Sequence, residues 1–177
     1  MTDVLRRATL DDSEAIARIY NQGIEDRLAT FETEPRTPET VRGILEEHGG
    51  NLPTVVVERA GHVVAFAWVS PYRSRPCYAG VGEHSVYVAR DARGTGAGFR
   101  ALMGLIEAAE AEGFWKLVSR IFPENAASRR LHARVGFREV GIYRKHARLD
   151  GVWRDVVIVE KLLGEAESDM PSSPEVT

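Results

Sequence analysis

Three glycines at alternate positions, Gly94, Gly96 and Gly98, separate a β-branched, aromatic run from a helix-forming stretch. Glycines so placed let the backbone take positive φ and let a ligand reach main-chain amides with no Cβ in the way. The helix opening at their end adds unpaired N–H groups and a partial positive charge, and together these make a seat for a pyrophosphate. Arg93, at the entrance, adds a full charge. Two phosphate-binding patterns fail on inspection. No Lys-Ser/Thr follows the glycines, which excludes a P-loop. A dinucleotide fingerprint needs an acidic ribose ligand at the end of the next strand, and Glu124 matches that spacing only loosely. A flexible β-to-α turn without a ligand accounts for the same glycines.

Hydrophobic spacing supplies the elements that must position this turn. Val4 to Ala8 reads as a strand and residues 12–26 as an amphipathic helix, with Ile16, Ile19 and Tyr20 on one face. Thr37-Pro38-Glu39 reads as an N-cap with proline at the first helical position, opening a helix of about ten residues that Gly49-Gly50 ends. Thr54 to Arg59 and His62 to Val69 form a hairpin across Ala60-Gly61, and Ser70 to Gly80 is a loop. Glu83 to Ala89 is a strand, Arg90 to Gly98 the glycine turn, Phe99 to Glu112 a helix, Lys116 to Phe122 a strand and Asn125 to Val135 a helix. Phe137 to Leu163 reads as two long strands joined at Asp150-Gly151. The order β-α-α-β-β-β-α-β-α-β-β describes a single mixed α/β domain, residues 1–163, rather than a doubly wound fold. The acidic, serine- and proline-bearing tail, 164–177, is expected to be disordered.

Composition narrows the function classes. At 177 residues, 44% hydrophobic and 28% charged, the chain is neither disordered, collagen-like nor disulfide-dense. A net charge of −3 gives no global positive field for nucleic acid or an anionic membrane, so an anionic ligand must be held by local arginines or helix-terminal amides. The single cysteine, Cys77, excludes an intrachain disulfide and a Cys-built zinc site. His48, His62 and His146 are scattered without carboxylates at ligand spacing, so no metal is expected. The apolar runs are too short to span a membrane and no apolar signal core stands at the N-terminus, so a cytoplasmic location is expected.

The spacing Arg93-x-x-Gly96-x-Gly98 after a strand resembles the acetyl-coenzyme A loop of the GNAT superfamily of N-acetyltransferases. Asn125-Ala126-Ala127-Ser128, followed by Gly136-Phe137, is similar to a second motif of that family, in the right order. The resemblance covers roughly residues 4–163 and implies a mixed, mostly antiparallel sheet of six or seven strands flanked by about four helices. Four stretches narrow it to the branch acting on phosphinothricin, methionine sulfoximine and arsinothricin: Ala29 to Pro38, Tyr72 to Pro76, Glu83 to Val88 and Asp150 to Val156.

That branch acetylates the α-amine of small glutamate analogues, using acetyl-CoA and no metal. The resemblance implies that the edge of Val86-Tyr87-Val88 pairs with the pantetheine arm, like an added strand. It places the pyrophosphate on Arg93 and the amides of Gly94, Thr95, Gly96, Ala97, Gly98 and Phe99. Asn125 and Ser128 either bond the donor or cap their own helix. Glu83 matches the family's general base, while taken alone it reads as a solvated strand-edge carboxylate. His132 stands where many members carry a tyrosine acid; acid, donor-sulfur contact, second base and plain buried histidine all remain open. Phe31 supplies an apolar wall, and Arg73 and Arg75, around Ser74, offer guanidinium groups to an anionic head. Alternate spacing turns those two arginines to opposite sides, and a solvated charged loop is the competing account. Trp153 and Arg154 line the site or a dimer interface, and the family favours a homodimer. Direct attack is expected, because Cys77 has no evident His base. Two rivals stand beside this reading: acetylation of a protein N-terminus or lysine, which needs an open groove, and a non-catalytic CoA-binding module, in which Glu83 and His132 are expendable.

Overall fold

In the computed structural model, which describes residues 2–168, seven strands form one mixed sheet in the order β1-β2-β3-β4-β5-β7-β6. β1 is Val4–Arg7, β2 Thr54–Arg59, β3 His62–Pro71, β4 Val81–Val88, β5 Lys116–Ile121, β6 Arg138–Leu149 and β7 Val152–Leu162. The main helices are α1 Ser13–Glu25, α2 Pro38–His48, α3 Ala97–Ala111 and α4 Ala126–Arg134. Only β4 and β5 run parallel, because α3 carries the chain across between them. The architecture is the single α/β domain expected from the sequence.

Period-two alternation assigns the two faces. On β3, Ala65, Ala67 and Val69 pack with α3 residues Ala101, Leu102 and Leu105, while Phe66 and Trp68 pack with Ile16, Ile19 and Tyr20 of α1 and Val41 of α2. Every one of these side chains is buried. Thr37 caps α2 by accepting from the Thr40 amide at 3.1 Å, with Pro38 at the first helical position.

Several boundaries shift. β3 continues through Ser70 to Pro71, and β4 begins at Val81 rather than Glu83, because Ser70 pairs with Glu83 and Pro71 with Gly82. The loop is therefore residues 72–80, with one tight turn at Pro76–Tyr78. α3 starts at Ala97, two residues early, since Gly96 at φ +90° already makes the left-handed step into the helix. The tail opens with a helical turn, Glu165–Ser168, where Lys161 Nζ meets Glu167 at 3.2 Å. The remainder of the tail, 169–177, lies outside the described residues. No described helix is long and apolar enough to cross a membrane.

One feature of the sheet positions the site. β4 and β5 pair only over Val81–Glu83 and Lys116–Val118. Beyond Glu83 and Val118 the two strands separate, and the unpaired edges of Ser85–Val88 and Ser119–Ile121 face a common cleft.

Candidate active site

The cleft between the separated strands has a volume of about 630 Å³. Val86, Tyr87 and Val88 line one wall, and Gly94, Gly96, Gly98 and Phe99 close one end. Gly94 and Gly96 have φ of +73° and +90°, with open space where a Cβ would stand. Their amides and the first turn of the fifteen-residue α3 have the geometry that can seat an anion. Gly98 is glycine for a different reason. A Cβ there would sit 3.1 Å from Val88 Cγ2 and 3.3 Å from Leu131 Cδ2, so close contact with β4 and α4 requires its absence.

Thr95 and Ala97 do not line the cleft. The Thr95 hydroxyl turns back onto the Ala92 carbonyl at 2.6 Å, and Ala97 is fully buried in the core, so only their main chains remain for a ligand. Arg93 lines the cleft and its guanidinium meets Asp26 at 2.7 Å, which holds the cation ready at the mouth. Asn125 is a helix cap: its Oδ1 accepts from the Ser128 amide at 3.1 Å, while its Nδ2 donates to the Leu28 carbonyl at 3.2 Å. Both Asn125 and Ser128 also line the cleft.

A second cavity of about 550 Å³ abuts the first, and Ser85, Tyr87, Ser119 and Arg120 line both. Glu83 and Phe31 stand in its wall, with Phe31 held edge-on against Phe122 at 4.8 Å between ring centres. Three residues in that wall escaped the sequence reading: Arg36, Arg120 and His84. Asn21 clamps the Arg36 main chain with two 2.9 Å hydrogen bonds, and the Arg36 guanidinium lies 4.1 Å over the Tyr20 ring. Arg120 donates through Nε (3.0 Å) and Nη2 to Glu83 Oε1, leaving Nη1 for a third group.

Arg73, Ser74 and Arg75 do not line either cavity. They occupy the exposed loop after β3, where Arg73 stacks over Tyr72 at 5.2 Å and Arg75 over Tyr78 at 5.9 Å. Ser70, at the root of that loop, does line the second cavity. Trp153 is half exposed under Arg148, and Arg154 reaches Glu124 at 3.3 Å. Cys77 is exposed. Among the described residues no three potential metal ligands come together.

His132 is buried on α4 and lines the first cavity; His84 is buried on β4 and lines the second. Their Nε2 atoms are 2.9 Å apart. Burial holds both rings below the ordinary imidazole value. For His84 the neighbouring His132 adds to the effect and the Val118 carbonyl opposes it; for His132 the Ser128 carbonyl opposes it.

Comparison with known proteins places this geometry. The model of the acetyltransferase (GNAT) family matches residues 16–137, which include the separated strands, the glycine turn and α4. A phosphinothricin N-acetyltransferase of Streptomyces coelicolor is 36% identical over 163 residues, covering 90% of this chain and 95% of the relative. A methionine sulfoximine/methionine sulfone acetyltransferase of Pseudomonas aeruginosa is 31% identical over 170 residues, covering 95% and 99%. The crystal structure of a phosphinothricin acetyltransferase from Sinorhizobium meliloti in complex with AcCoA superposes with a TM-score of 0.86 at 30% identity, covering 98% of this chain and 95% of that one. With its split sheet, glycine turn and these relatives across nearly its whole length, the chain belongs to the GNAT family of acetyltransferases.

Proposed function

We propose that the protein acetylates the α-amine of a small amino acid carrying an anionic head, of the phosphinothricin, methionine sulfoximine or arsinothricin type. The donor is acetyl-CoA, the substrate of the GNAT family, and the cleft residues fit it. The amides of Gly94 to Phe99 and Arg93 meet its diphosphate, and the free edge of Val86–Val88 meets its pantetheine arm. Bound there, it presents an acetyl thioester to the second cavity.

The observation that carries the acceptor class is the wall of that cavity. Glu83, Arg36 and Arg120 are gathered in the wall of one cavity that adjoins the donor cleft. An acceptor amine arrives as an ammonium and must lose a proton before it attacks; Glu83 is the carboxylate placed to take it. Guanidinium groups bind carboxylate, phosphinate or arsenic oxyanions through forked, charge-assisted hydrogen bonds. Arg36 and Arg120 form an inner pair for that head. Arg73 and Arg75, outside both cavities in the loop rooted at Ser70, are an outer pair for the same head. Attack is direct, since Cys77 lies outside both cavities. The relatives named for phosphinothricin and methionine sulfoximine support this acceptor.

A cytoplasmic homodimer completes the reading. Ile142 and Trp153, on one face of the outer hairpin, are 55% and 48% exposed, an apolar surface suited to a second copy.

Release of free CoA with a panel of glutamate-like amines, for the wild type and Glu83→Gln, tests the function. The variant is expected to bind CoA normally by calorimetry and to turn over about 100-fold more slowly. A variant as fast as the wild type removes Glu83 from the mechanism. A preference for peptide N-termini or lysine overturns the acceptor class.

A further inference from the structure

His48, in the last turn of α2, is fixed at one ring nitrogen and free at the other. The residue is 8% exposed and its ring stands edge-on to Trp68, 5.8 Å between centres. Nδ1 lies 3.4 Å from the hydroxyl of Thr54, which is also buried and has no other side-chain partner among the described residues. A buried hydroxyl hydrogen needs an acceptor, so Thr54 donates and Nδ1 is the lone-pair nitrogen. In the neutral ring the hydrogen then sits on Nε2. Burial holds the ring neutral near pH 7, against the opposing pull of the Glu47 carboxylate. Nε2 makes no hydrogen bond among the described residues, yet it is not sealed off as His84 Nδ1 is. His48 lines the acceptor cavity, so that space is where an unpartnered N–H on a nine-tenths-buried ring finds its acceptor.

Strand register locates this donor within the cavity. Thr54 stands opposite Trp68 on one side of β3, and Ser85 stands opposite Trp68 on the other, with Glu83 opposite Ser70. Packed on Thr54 and Trp68, His48 therefore lies on the β3 side of Glu83, whereas Arg120 reaches Glu83 from β5. Arg36 shares the β3 side, its guanidinium 4.1 Å from the Tyr20 ring centre and 5.7 Å from that of Trp68. We propose that His48 is a specificity-determining residue for the acceptor, its Nε2–H donating to an oxygen of the head that Arg36 also meets, an inference that rests on the acetyl-transfer reading above.

The chemistry of the heads gives such a donor its use. A phosphinate or a sulfone is tetrahedral at its central atom and presents two oxygens, each able to accept hydrogen bonds. Guanidinium groups answer the charge of the head, so they favour an anion over a neutral isostere. A neutral imidazole N–H answers the oxygen itself and serves a sulfone as well as a phosphinate. It also tells a sulfone from the parent sulfide, whose sulfur is only a weak acceptor. A sulfide bound in the same place would leave the Nε2 hydrogen buried and unpaired, and a site built to bond an oxygen rejects the analogue that lacks it. His48 thus selects for an oxidised head, while Arg36 and Arg120 select for a charged one.

Initial-rate CoA release with methionine, methionine sulfone and phosphinothricin tests the assignment. His48→Phe keeps an aromatic ring against Trp68 and removes the donor. Its KM is expected to rise about fivefold for the sulfone and at least about tenfold for the phosphinate, with KM for methionine, KM for acetyl-CoA and kcat within about twofold. An unchanged KM for both oxygen-bearing heads, or an equal rise for methionine, overturns the role. His48→Gln carries an amide N–H to about the place of Nε2 and should recover most of the affinity; a folded Gln variant as weak as His48→Phe means that the ring only packs, and overturns the role too. Nitrogen-15 histidine NMR of the ligand-free wild type needs no variant to fold: His48 is expected neutral and protonated at Nε2 at pH 7, and a hydrogen on Nδ1 overturns the donor. A wild type that acetylates the sulfone while the His48 variants match it removes His48 alone. A wild type that binds CoA but acetylates no amine removes the acetyl-transfer reading and this role with it.

Discussion

Replacing Arg120 by Met tests whether the acceptor cavity selects an anion through its own wall. In the structure Arg120 spends Nε and Nη2 on Glu83 and keeps Nη1 for a ligand. The Arg120 side chain is 46% exposed and Glu83 27%, so the pair belongs with solvated ion pairs, worth about 0.2–1 kcal/mol to stability. A chain of this size loses about 2–4 °C per kcal/mol, so the variant should remain folded at assay temperature. Binding is another matter. A hydrogen bond to a charged group contributes about 1.5–3 kcal/mol, and half-exposure of the guanidinium favours the lower figure. At about 1.4 kcal/mol per decade this gives roughly a tenfold rise in KM for an anionic-headed acceptor.

The assay is initial-rate CoA release with two amino acids of equal length, one with a phosphinate head and one with a neutral sulfone head. KM for the neutral acceptor should change less than about twofold, because Met fills the aliphatic space that the Arg stem occupied. Arg120→Lys keeps the charge but loses the planar fork, so it should recover only some of the affinity. Arg73→Ala and Arg75→Ala probe the outer pair separately. Their guanidiniums lie over Tyr72 and Tyr78 in a loop outside the cavity, so any effect should add to that of Arg120→Met. An equal KM rise for both heads in Arg120→Met would mean general damage to the cavity, and no rise for either would remove Arg120 from recognition. Either result refutes the inner-pair argument.

Two further outcomes bear on the frame around the site. Gly98→Ala sets a gain of up to about 1 kcal/mol in helix propensity against overpacking of about 1–3 kcal/mol at Val88 and Leu131, so a fall in Tm of about 2–4 °C and weaker CoA binding by calorimetry are expected, and an unchanged Tm would count against the contact. Stability should also depend on pH through His48, His84 and His132, all held below the usual imidazole value chiefly by burial: the unfolded chain takes up their protons first, so stability is complete above about pH 6.5 and falls below it, by up to about 1.4 kcal/mol per pH unit for each ring. Urea midpoints that match at pH 7.5 and 5.5 would contradict that assignment.

What the sequence reading captured and what it missed divide along the range of the forces involved. The α2 cap at Thr37 and the left-handed steps at Gly94 and Gly96 depend on neighbours within a few residues, so residue type alone announces them. Gly98 belongs to the same visible motif, yet its reason is a contact with Leu131, thirty-three positions away, and spacing cannot distinguish that from room for a ligand. Arg36 sits in one of the stretches that carry the family resemblance, but its place in the cavity comes from Asn21, fifteen residues upstream, which fixes its main chain from α1. Arg120 looks like the polar position of an ordinary strand. It reaches Glu83 because β4 and β5 are neighbours that diverge just past Glu83 and Val118, a consequence of strand order that no local pattern carries.

His84 shows the same limit most sharply. It stands beside the residue matched as base, and alternation along β4 turns it to the opposite face from Glu83. Nothing within its own strand says that His132, forty-eight residues on, will occupy that face. Their meeting needs the crossover through α3, the parallel seating of β5 and the return of α4 beneath the opened edge. Chemistry that depends on the split of the sheet is therefore a property of the register, and it becomes readable only once the strands have been placed.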